Sequence, residues 1–120
     1  MYANNDTRFL LYTNNNALYL LDTTVSGAGT KIVESPKNYG FSKDDKLVYY
    51  ITQNDEAYLY NRNNQEITKI DLNVNKIETI YAEIIVYSKD NSLYYENITN
   101  QESYNITDNY RNVELNYDNN

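Results

Sequence analysis

Short apolar runs alternate with polar clusters along this chain, and the stretch from Phe41 to Asn61 shows the unit most clearly. Leu47 to Ile51 is β-branched and aromatic, preceded by Lys43-Asp44-Asp45-Lys46 and followed by Gln53-Asn54-Asp55-Glu56; Ala57 to Tyr60 then forms a second run before the polar cluster Asn61 to Gln65. Such runs bounded by turn formers read as strands, and with so little chain between them the pairing must be antiparallel. No helix fits in the space.

The unit recurs. FLLYTNNNALYLLD starts at Phe9, LVYYITQNDEAYLYN at Leu47 and IIVYSKDNSLYYEN at Ile84, so the starts lie 38 and 37 residues apart. A period of that size marks stacked supersecondary units. A third strand follows in each copy, at Thr30-Lys31-Ile32, Thr68-Lys69-Ile70 and, more loosely, Tyr104-Asn105-Ile106. A fourth alternates apolar and polar residues through Tyr39 and Phe41, through Ile77, Thr79 and Tyr81, and through Val113, Leu115 and Tyr117. Four strands per repeat describe a propeller blade. The expectation is therefore an all-β chain of three four-stranded antiparallel β-propeller blades in one domain over residues 1–120, with repeats near 8–42, 46–82 and 83–117. Twelve strands are expected: 8–13, 17–22, 30–34, 38–42, 46–52, 57–61, 67–72, 77–82, 83–88, 92–96, 104–107 and 113–117.

Composition agrees with many short strands and turns. The chain has 15 Tyr, 21 Asn and only 3 Gly. Tyr is a good strand former, and Asn tolerates the left-handed backbone that tight hairpins need. A formal net charge of −7, with no cluster among the seven Lys and three Arg, disfavours nucleic acid and anionic membrane surfaces. There is no Cys and no His, so disulfides, thiolate chemistry, Ser-His-Asp and Cys-His catalysis and nearly all zinc sites are ruled out. Neither a signal peptide nor a membrane span is legible, and a soluble chain is expected.

The phrases GFSKDDKLVYYI and EAYLYN resemble the strand-turn-strand phrases of TolB-like β-propellers, whose blades carry an FSPDGKKLVY-type stretch followed by an LYLYD-type strand. The likeness covers nearly the whole chain, although Asp45 stands where Gly is usual, the third repeat has a shortened turn at Ala82-Glu83, and there is no Trp. It implies a protein of bacterial type in which Asn38 to Ser42 and Ile77 to Ala82 are innermost strands beside a central channel. On that reading the chain starts on a second strand at Arg8 and ends on an innermost strand, Val113 to Tyr117. Three blades fall below the usual four to eight of a closed ring. Two chains would then complete a six-bladed ring as a homodimer, each giving its last strand to the first blade of the other.

For function, the expectation is a non-enzymatic interaction or ligand-binding module without a cofactor. Tyr39, Tyr81 and Tyr117 would ring one channel mouth and take a protein, peptide or carbohydrate ligand, since Tyr offers apolar area and a hydroxyl together. The alternatives are a structural or assembly fragment of a larger propeller, and a carboxylate-dependent hydrolase or lyase drawing on Asp44, Asp45, Asp55, Glu56 and Glu83. The tips Asn14-Asn15-Asn16, Asn54-Asp55 and Asp90-Asn91 could offer oxygen ligands to calcium, but hairpin closure accounts for their recurrence. Asn-x-Thr sequons stand at Asn5, Asn97 and Asn105.

Overall fold

Twelve strands and no helix build the computed structural model of this chain, which describes residues 1–4, 8–25 and 27–108. They are β1 (Tyr2–Ala3), β2 (Phe9–Asn14), β3 (Ala17–Asp22), β4 (Thr30–Glu34), β5 (Asn38–Phe41), β6 (Leu47–Ile51), β7 (Ala57–Asn61), β8 (Ile67–Asp71), β9 (Val74–Tyr81), β10 (Ile84–Lys89), β11 (Ser92–Asn97) and β12 (Glu102–Thr107). Consecutive strands pair antiparallel into three four-stranded sheets, in the orders β1-β2-β3-β4, β5-β6-β7-β8 and β9-β10-β11-β12. The sheets thus span residues 2–34, 38–71 and 74–107, one strand out of phase with the sequence repeats.

Alternation within strands decides how the sheets stack. In the middle sheet Val48, Tyr50 and Tyr60 point one way and pack with Phe9, Leu11, Leu18 and Leu20 of the first sheet. Ile51, Ala57 and Leu59 point the other way and pack with Val74, Ile77, Ile80, Ile85 and Tyr87 of the third. A period-2 sheet that is apolar on both faces has to be covered on both. The chain therefore has two cores, one on each side of the middle sheet.

Turns are closed by residues that accept a left-handed backbone. Asn15 and Asn16 (φ 52° and 68°) and Asp90 and Asn91 (φ 51° and 64°) are two-residue hairpin tips of the type that twisted strands favour. At Asn61–Gln65 and again at Asn97–Gln101 the Asn side chain accepts backbone N–H groups two and three residues on, and the Gln N–H returns to the Asn carbonyl.

Two expectations change. The chain does not start on a second strand: Tyr2–Ala3 pairs with β2, Tyr2 opposite Leu11. Asn4 then repeats the closure made by Ser42, since Phe9 N–H donates to Asn4 Oδ1 as Leu47 N–H donates to Ser42 Oγ. The edge of the first sheet where a partner's last strand was expected is held by the chain's own residues Tyr2–Ala3. In β9 the expected alternation through Ile77, Thr79 and Tyr81 is broken by register shifts opposite Val86/Tyr87 and Ser88/Lys89. Each bulge inserts a residue, so the buried positions become Val74, Ile77 and Ile80, and Tyr81 is left exposed. The expected strand Val113–Tyr117, with Tyr117, lies outside the described residues, as does the Asn5 sequon.

Candidate functional site

The first strands of the three sheets, β1, β5 and β9, lie on the same edge of the stack. β5 and β9 run in the same direction: Lys43 N–H, just past β5, donates to the carbonyl of Ile80 near the end of β9, and Val74 N–H, at the start of β9, donates to Asp55, whose turn adjoins the start of β5. Tyr39 is the second residue of β5 and Tyr81 the last of β9. The two tyrosines expected at one mouth therefore sit at opposite ends of parallel strands, and the structure does not bring them together.

Tyr39 gathers a different group. Its ring meets that of Tyr2 edge-on at 5.4 Å, and Tyr2 is 54% exposed. Next in β5 is Gly40, over which the Tyr49 ring lies so closely that a Cβ there would fall 2.6 Å from the Tyr49 hydroxyl. Burial, and after it the neighbouring Tyr2, push the pKa of the Tyr49 hydroxyl up. Gly40 is required for close approach. Tyr2 and Tyr39 thus meet on the face toward the first sheet, at the starting end of the β5 edge, while Tyr49 covers Gly40 on the face toward the third. Tyr2 escaped notice because a two-residue strand has no periodicity to read; the match of Asn4-x-Asp6 before Phe9 with Ser42-x-Asp44 before Leu47 is the signal that would have found it.

The carboxylates separate in the same way. Asp44 and Glu83 line a cleft of about 260 Å³ at the finishing end, with Lys46, Asn61, Asn63 and Thr99. Burial works against the Asp44 carboxylate, but the Ser42 hydroxyl (2.7 Å) and the backbone N–H groups of Lys46 (3.2 Å) and Ala82 outweigh it and hold its pKa below the usual range. It joins the β5–β6 turn to the β9–β10 turn of the next sheet. Asp55 and Glu56 lie at the other end, where Asp55 pairs with Lys37 and Glu56 accepts from the Tyr58 hydroxyl at 3.1 Å, with Lys69 at 3.6 Å. Arg62 Nε donates to the carbonyl of Asp45, tying that turn to the third strand of its own sheet and to Phe9, whose ring lies 4.0 Å beneath the guanidinium.

A further polar group, half-buried, lies where the middle and third sheets meet. Tyr87 Oη donates to Asp71 Oδ2 at 2.9 Å and Lys89 Nζ bonds both Asp71 oxygens at 3.0 Å. Glu96, 6% exposed, faces the same space. Burial, and then the Asp71 charge, push the Glu96 carboxyl up. In Asp71 burial is outweighed by the bonds from Lys89, Leu72 and Tyr87, and its pKa is lowered. Among the described residues, no group of three or more acidic side chains converges as a metal centre would require. Nor is any described helix long and apolar enough to cross a membrane.

Comparison with known proteins gives no family match and no match among curated proteins.

Proposed function

We propose that this chain is a non-enzymatic interaction or ligand-binding module of the TolB-like propeller kind, in which two copies complete a six-bladed ring and the inner edge receives an uncharged ligand, peptide or carbohydrate. The observation that carries the reading is the edge-on contact of the exposed Tyr2 with Tyr39 at the edge formed by β1 and β5, with the Tyr49 ring over the neighbouring Gly40 on the other face. Aromatic faces with hydroxyl rims suit sugars and peptide groups, and their side chains lose little entropy on binding. The acids support the same reading by being engaged elsewhere: Asp44 is held by turn hydrogen bonds, and Asp55 and Glu56 by cations and a tyrosine. A net charge of −7 turns away anions.

Titrating the intrinsic tyrosine fluorescence with neutral oligosaccharides and with short uncharged peptides tests it. Saturable binding is expected for one of the two classes, weakened about tenfold by Tyr2→Ala, the size of loss usual for an interface anchor. Absence of binding to either, or undiminished affinity in Tyr2→Ala, contradicts the reading.

A further inference from the structure

The same pair of tyrosines stands on the same face of every sheet. Tyr12 stacks on Tyr19 in the first (5.4 Å), Tyr50 on Tyr58 in the second (5.3 Å) and Tyr87 on Tyr94 in the third (5.8 Å). Cross-strand aromatic pairs of this kind stabilise a sheet locally and present a flat apolar face to whatever lies over them. In the second and third sheets that face is covered by the sheet before it: Tyr50 is 4% exposed and Tyr87 fully buried. No described sheet lies over that face of the first sheet, and its pair, flanked by Leu10 and Leu21, is only half-buried. At the other end of the stack the third sheet presents Ile84 and Val86, which occupy the positions of Leu47 and Tyr49 in the middle sheet. Leu47 and Tyr49 pack against the third sheet. No described sheet follows over Ile84 and Val86, and Ile84 is 36% exposed, while Ser88 and Leu93 farther along the same face are buried.

We infer that the Tyr12–Tyr19 face of the first sheet is the docking surface for the Ile84–Val86 face of the third sheet of a second copy, so that two chains close head to tail through two equal seams. This rests on the ring reading and replaces its strand exchange, because β1 already fills the inner edge of the first sheet. A second copy is the occupant because the seam repeats, residue position for residue position, the two sheet-on-sheet contacts within one chain. A face-to-face pairing of like surfaces would repeat neither.

The test uses Leu10→Lys and Val86→Lys in the full chain, one spoiling each face, with circular dichroism to verify the fold and native mass spectrometry to read the mass. Wild type is expected at twice the 14.1 kDa chain mass and each variant alone at the single-chain mass. An equimolar mixture regains the two-chain mass, since one seam then joins two intact faces. If either lysine prevents folding, Tyr19→Gln and Ile84→Gln take their place with the same expectations. A two-chain species that survives both substitutions overturns this seam and leaves the ring reading standing. A mixture that stays at the single-chain mass overturns the head-to-tail arrangement, and a mass that grows past two chains overturns the closure. Wild type at the single-chain mass defeats the ring reading as well.

Discussion

Glu96 breaks a pattern that its neighbours keep. It stands where the first two sheets have Leu21 and Tyr60, on the face turned to the preceding sheet, and it brings a carboxyl into a space that already holds the Asp71 carboxylate. Because its folded-state pKa is raised, the native chain binds the proton more tightly than the unfolded chain does. The stabilisation is complete below the unfolded value of about 4.3 and is lost as pH rises through the folded value. Glu96→Gln should therefore melt a few degrees above wild type at pH 8, with the gap closing below about pH 4. Parallel melting curves across that range would mean that Glu96 is not desolvated as described. Asp71 has the opposite sign: its pKa is lowered, so its contribution is present above the unfolded value and lost as acid titrates it. Tyr87→Phe removes the hydroxyl that donates to Asp71 and should cost about 1–3 kcal/mol in urea unfolding, as for a half-buried bond to a charged group. A loss of a few tenths would show the bond to be solvent-exchanged. The sequence shows Glu96 and Tyr94 in phase on one strand; it cannot show that Asp71, sixteen residues before Tyr87, bonds the Tyr87 hydroxyl beside them.

At the scale of elements, turn chemistry was the most legible feature. Asn-rich and Asp-rich tips with few glycines anticipate left-handed hairpin residues, and Asn15, Asn16, Asp90 and Asn91 all have positive φ. Asn91→Ala should cost about 1–2 kcal/mol, because Ala keeps the Cβ that this conformation disfavours and loses the local side-chain hydrogen bonding by which Asn offsets it, while Asn91→Gly should be neutral or nearly so. Equal losses for both would point to a side-chain role for Asn91 instead. Strand positions in the middle sheet follow from simple alternation, with Val48 and Tyr50 on one face and Ile51 and Leu59 on the other or its continuation. β9 was less legible because a bulge leaves no mark in composition: Val74, Ile77 and Ile80 are spaced by three, which period 2 cannot read as one face. β1 was missed for the reason of length, and its loss moved the expected start of the fold by a whole strand. Tyr39 and Tyr81 were grouped because both fall near the ends of the expected innermost strands; only the backbone bonds of Lys43 and Val74 reveal which ends coincide.

For the whole molecule, the repeat dictates three sheets, and the two-sided apolar middle sheet dictates that they stack in chain order. Leu18, fully buried in the core between the first and second sheets, is a measure of that stacking. Leu18→Ala should lower stability by about 2–5 kcal/mol, the usual range for a buried leucine that leaves a cavity. A cost below 1 kcal/mol would mean that the first sheet is not packed on the second. Among the described residues, Leu10, Tyr12, Tyr19 and Leu21 on the outward face of the first sheet stay half-buried and Ile84 on that of the third stays exposed, and apolar faces of that kind on a small domain mark places where another surface belongs. The mass of the wild-type chain in solution, by light scattering after gel filtration over a range of concentrations, tests this most directly. A concentration-independent mass of twice 14.1 kDa is the predicted result. A stable single-chain mass with both end faces exposed would contradict it.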